Sequence, residues 1–94
     1  MVLEVALIDV TAGVQEAFTD AYRQARELII ATPGCRSTRM TRGVETPTRF
    51  VLLVEWDSVA AHEDFRSSDR FGQWRALIGP HFAQPPHVEH FTDV

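Results

Sequence analysis

The chain has 94 residues, 45% of them apolar and 23% charged, which is the length and composition of one ordinary globular domain spanning residues 1–94. Its net charge of −4 argues against a nucleic-acid partner, because phosphate binding needs a basic face. A single cysteine excludes an internal disulfide, and no apolar run nears the ~20 residues of a membrane span, so no membrane partner is expected.

Met1 leads straight into a strand-like run carrying Glu4 and Asp9, with no signal peptide, so the expected location is cytoplasmic. The sequence contains no lysine, which excludes Schiff-base chemistry, and no asparagine. Both amino acids use A-rich codons, so their absence points to a GC-rich, bacterial genome.

Val2 to Val10 predicts a first strand with neither face polar. Thr11 or Gly13 opens a helix, on which Val14, Phe18, Ala21, Tyr22, Ala25, Leu28 and Ile29 recur at steps of three and four until Thr32-Pro33-Gly34 ends it. Cys35 to Arg42 predicts a polar edge strand, where charge discourages further pairing. Its arginines form no continuous patch, since Arg36 and Arg42 share one face and Arg39 takes the other. A loop holding Gly43 and Pro47 leads to a third strand, Phe50 to Trp56. Phe50, Leu52, Val54 and Trp56 face one side of it, and Val51, Leu53 and Glu55 the other. Asp57 or Ser58 caps a short helix with Ala61, His62 and Phe65 on its inner face. Ser68 caps another, with Phe71, Trp74 and Ile78 at helical spacing, and Gly79-Pro80 stops it. His81 to Pro86 is a linker and His87 to Val94 a last strand.

The order β-α-β-β-α-β is the split βαβ pattern of ferredoxin-like α+β domains: an antiparallel sheet with helices on one face. The other face is apolar and bare. Two such sheets packed face to face close a dimeric α/β barrel, so a homodimer is expected.

The Pro33-Gly34-Cys35 turn, the strand FVLLVEW running into a Ser58-capped helix, the AAHEDF helix and the SSDRFGQWRALIG segment together resemble the antibiotic biosynthesis monooxygenase family of the dimeric α/β-barrel superfamily. The resemblance covers essentially the whole chain. It implies cofactor-independent oxidation of a small phenol, anthrone or quinol, with no cofactor and no metal. The alternative is a non-catalytic dimer of the same fold that binds a small hydrophobic aromatic ligand. Haem-degrading relatives carry an asparagine, a tryptophan and an axial histidine at positions where this chain has Ala6, Phe65 and Arg75.

Within that family's chemistry, His62 is the candidate general base, since its ordinary pKa of about 6.5 lets it take a proton near neutral pH. Deprotonating a phenol or anthrone gives an electron-rich anion that can pass an electron to O2. The alternative for His62 is a core histidine bonded to a backbone group. Arg75 is a candidate to steady the anion, or a solvated arginine whose stem covers a helix edge. Tyr22, Phe65, Phe71 and Trp74 can wall a pocket for a flat ring, or simply be core. His81, His87 and His90 fit no zinc spacing and are expected to be polar residues near the domain's end. Cys35 lacks an evident partner base and is expected to be an inert buried thiol.

Overall fold

Strict alternation along two central strands gives the sheet a core face. In the computed structural model, which describes residues 1–94, β1 spans Val2–Asp9 and β3 spans Arg49–Trp56. Ala6 and Ile8 of β1 and Phe50, Leu52, Val54 and Trp56 of β3 are all buried on one face. The element order is β1, α1 (Gln15–Ile30), β2 (Cys35–Arg42), β3, α2 (Val59–Arg66), α3 (Asp69–Ile78), a 3-10 turn Gly79–His81, and β4 (His87–Phe91). The sheet order is β2-β3-β1-β4 with every pairing antiparallel, so the predicted ferredoxin-like α+β architecture is present. The polar strand β2 is an edge strand, as its composition predicts.

The helix α1 buries Phe18, Ala21, Tyr22, Ala25 and Ile29, the stripe its periodicity predicts. Neither Thr11 nor Gly13 caps it. Val14 holds the N-cap position, and the Gln15 side chain instead reaches back to accept from the Gly13 N–H at 2.8 Å. The turn after α1 has a specific requirement. Gly34 sits at φ +87°, and a Cβ there would lie 2.7 Å from the Ala61 Cβ of α2. Only glycine permits both the left-handed backbone and that close approach. Its carbonyl also accepts from the Asp57 N–H at 2.8 Å, which ties the turn to the end of β3.

Ser58 caps α2, accepting from the Ala61 N–H at 3.1 Å, while Asp57 pairs with Arg36. Ser68 holds the N-cap position of α3 but caps nothing with its side chain. Its hydroxyl donates back to the Phe65 carbonyl at 2.6 Å, joining the two helices. At the end of α3, Gly79 stays right-handed, and the chain tightens into the 3-10 turn around Pro80 rather than stopping on a left-handed glycine. Two strand ends are shorter than predicted. Val10 forms only an isolated bridge to Phe82, and Thr92–Val94 fall outside β4.

The opposite sheet face carries Leu3, Val5, Leu7, Val51 and Leu53, all partly exposed, with Phe91 exposed beside them. No helix is long and apolar enough to cross a membrane.

Candidate functional site

Between the sheet and α3 lies a cavity of about 200 Å³. Its floor is the core face of β1 and β3, through Glu4, Ala6, Ile8 and Leu52. Its wall is α3, through Phe71, Trp74, Arg75 and Ile78, with His62 and Arg66 at the α2 side. Mostly apolar lining with a few polar groups is the usual make-up of a small-molecule site.

Two of those polar groups, Glu4 and His62, form one chain with His90 just beyond the lining. Glu4 and His90 are direct cross-strand partners in β1 and β4, so their side chains share the helix-covered face. His62 descends between them from α2. Its Nδ1 lies 2.7 Å from His90 Nε2, and its Nε2 lies 3.3 Å from Glu4 Oε1. The Trp56 Nε1–H donates to the same Oε1 at 2.9 Å, and the Trp56 ring stacks on His62 at 5.1 Å and 15°. With Glu4 ionised, one assignment satisfies every contact. His62 then turns its Nε2–H side toward the Glu4 carboxylate, and His90 donates from Nε2 to His62 Nδ1.

Burial sets the electrostatics of this chain. Glu4 and His62 are each 4% exposed. Desolvation pushes the Glu4 carboxyl above its ordinary value, opposed by the Trp56 hydrogen bond and the charge of Arg66. Desolvation, then His90, then Arg66 lower His62 to about 4, so it is neutral at pH 7. Arg75 stands at the mouth, its guanidinium 5.9 Å from the Phe71 ring centroid and 5.7 Å from that of Phe82, a double cation–π contact that fixes its position.

Of the residues singled out in the sequence, His62, Phe71, Trp74 and Arg75 come together here. Phe65 and Tyr22 do not. Phe65 is 2% exposed and packs among Trp56, Phe71 and Trp74. Tyr22 meets Trp74 edge-on at 6.2 Å but is absent from the cavity lining, and its hydroxyl has no partner. Glu4 and His90 escape the sequence analysis. Glu4 carried a signal: it is the one charge in phase with Ala6, Ile8 and Val10. His90, predicted to be a polar residue near the domain's end, is instead part of the site, and only strand register shows it. Cys35 is partly exposed rather than fully buried, and desolvation raises its thiol, which leaves it a poor nucleophile. No group of three or more His, Cys, Asp or Glu side chains is placed to share a metal ion. The larger concavity, about 540 Å³, opens on the bare sheet face and carries none of the candidate residues.

Known proteins share this architecture. A family model for antibiotic biosynthesis monooxygenase matches residues 1–77. The uncharacterized protein YczJ of Bacillus subtilis is 36% identical over 95 residues, covering 100% of both chains. A 42.8 kDa protein in the whiE locus of Streptomyces coelicolor is 37% identical over 65 residues. That match covers 69% of this chain but only 16% of that protein. A solved structure from Bordetella bronchiseptica, named for the same family, is similar with a TM-score of 0.96 at 39% identity, covering 99% of this chain and 96% of that one. A structure from Nitrosomonas europaea, at 22% identity and a TM-score of 0.86, shares the fold. The chain therefore belongs to the antibiotic biosynthesis monooxygenase family, which supports a monooxygenase-type function in general terms.

Proposed function

We propose that the protein is a cofactor-independent monooxygenase of a small phenol, anthrone or quinol, acting as a homodimer. The observation that carries the proposal is the apolar cavity floored by a buried carboxylate–imidazole chain. Burying a carboxylate and an imidazole costs stability, and ordinary packing does not require it. An engineered apolar cavity of about 150 Å³ holds benzene. About 200 Å³ therefore suits one or two rings, and a three-ring anthrone would project from the mouth.

For a hydroquinone the balance is hydroquinone plus O2 giving hydroxyquinone plus water. One oxygen atom enters the ring, and the other leaves as water with two substrate hydrogens. The protein's share is to take a proton, hold the anion and return a proton as the O–O bond breaks. The Glu4–His62 pair is the proton-handling group. Arg75 faces the cavity with a fixed positive charge and steadies the phenolate or enolate oxygen. Phe71 and Trp74 position the ring.

The test is O2 uptake with a panel of hydroquinones and anthrones, using labelled O2 to follow the atom into the product. One O2 per substrate is expected, with Arg75→Gln lowering kcat/KM by about 10²-fold. Ligand binding with no uptake across the panel would leave the non-catalytic aromatic-binding dimer in its place.

A further inference from the structure

The general base named from sequence is His62, yet its Nδ1 is taken by His90 and its Nε2 faces Glu4 at 3.3 Å. A neutral imidazole has one basic lone pair, here on Nδ1, and it is not open to a ligand without breaking the contact to His90. Glu4 is different. Its Oε1 accepts from the Trp56 Nε1–H and lies 3.3 Å from His62 Nε2, whereas its Oε2 makes no hydrogen bond within the protein, and the residue forms part of the cavity floor. Both neighbours sit on one oxygen, which leaves the second free.

We infer that Glu4, through Oε2, is the residue that takes the substrate's proton, and that His62 and His90 are positioning residues that hold the carboxylate and share its charge. This rests on the proposed reaction and refines it. In the step itself the substrate O–H bond breaks, its electron pair stays on oxygen as phenolate, and the proton bonds to Oε2. The oxidant that follows is O2, and the same proton returns to the departing oxygen as water leaves.

Three features of the surroundings suit the role. Burial raises the carboxyl toward the range where proton transfer is most efficient. Arg66 and Arg75 line the same cavity and favour the anion left on the substrate. His62, lowered to about 4, stays neutral and so does not compete with the carboxylate for the proton.

The experiment does not need turnover. A nitrophenol, whose phenolate absorbs visible light, is titrated into the full chain and into Glu4→Gln and His62→Gln, and the bound phenolate fraction is read against pH. Glutamine keeps the shape of Glu4 and an acceptor for Trp56 but cannot take a proton. Because the Glu4 carboxylate accepts the phenol's proton and repels a phenolate, the phenol bound to the unsubstituted chain should ionise about one pH unit higher than in Glu4→Gln, a tenfold shift. Glu4→Gln should still bind, and His62→Gln should move the ionisation only part of that way. The same ionisation in Glu4→Gln as in the unsubstituted chain, or the full shift in His62→Gln alone, overturns the assignment to Glu4 and leaves the aromatic-ligand proposal standing. Failure of the unsubstituted chain to bind any nitrophenol would overturn both. Where turnover is found, Glu4→Gln should lower kcat by about 10²–10⁴-fold with little change in KM.

Discussion

At the scale of single residues, Glu4 and His62 carry opposite shifts, and their signs make a specific prediction about stability. Folding lowers His62 from 6.5 to about 4. Between those values the unfolded chain binds this proton more tightly. The His62 contribution is therefore fully present above pH 6.5 and is lost as pH falls through that window. Glu4 is raised from 4.5, so its contribution is present below 4.5 and is lost as pH rises through its folded value. Above pH 4.5 the two slopes oppose each other. Glu4→Gln removes one of them. Relative to the unsubstituted chain, its stability should fall as pH drops toward 4.5, by up to about 1.4 kcal/mol per pH unit. His62→Gln should instead lose relative stability as pH rises. Urea unfolding at a series of pH values measures both, and curves for Glu4→Gln that run parallel to the unsubstituted chain would refute the antagonism. His62 was legible as a candidate because a histidine on an apolar helix face is conspicuous. Its partners were not. Glu4 sits in a strand whose two faces both read as mainly apolar, and its meeting with His90 depends on β1–β4 register, which no local pattern encodes.

At the scale of elements, the position of α2 decides whether His62 reaches the sheet, and Gly34 decides the position of α2. The Ala61 methyl packs where a side chain at 34 would be, so the turn after α1 and the first turn of α2 interlock. Gly34→Ala combines a left-handed backbone penalty with a clash against a helix. Together these should cost about 2–4 kcal/mol and lift His62 from Glu4. Gly13 is the control. It also has positive φ, at +95°, but nothing lies within 4 Å of a Cβ there, so Gly13→Ala should cost only about 1–2 kcal/mol. Denaturant unfolding of the pair separates backbone strain from interlocking, and equal losses would argue against the interlock. The elements themselves were legible in sequence because their signals are local: Phe50 to Trp56 is a short apolar run rich in β-branched and aromatic residues, and Phe18 to Ile29 keeps one stripe. Their ends were less so. Side chains that can cap often have other partners, as Ser68 shows by donating to Phe65, and Val14 begins α1 with no cap at all.

At the scale of the whole molecule, the sheet is covered on one face only. Leu3, Val5, Leu7, Val51 and Leu53 form a contiguous apolar field across the two central strands, because the register sets Val5 opposite Leu53 and Leu7 opposite Val51. Such a field on an isolated chain is an association surface. A second copy is the occupant we propose, because a C2 axis would bring the same apolar patch against itself. Charged residues ring the field without crossing its centre. Arg39, Glu55 and Glu89 lie toward its edges, and Arg49 pairs with Asp9 at one end. A stable interface of this kind should bury roughly 1,200–2,000 Å² in total. The chain should therefore sediment at twice its formula mass at micromolar concentration. Leu53→Glu places a carboxylate at the centre of the field, opposite Val5, and should shift the sedimentation to a single chain. The cavity beneath α3 lies on the other side of the sheet, so a monomeric Leu53→Glu chain should still bind a nitrophenol. Loss of binding on dissociation would mean instead that the second copy closes the mouth of the site. Sedimentation of the unsubstituted chain as a monomer would refute the face-to-face pairing outright.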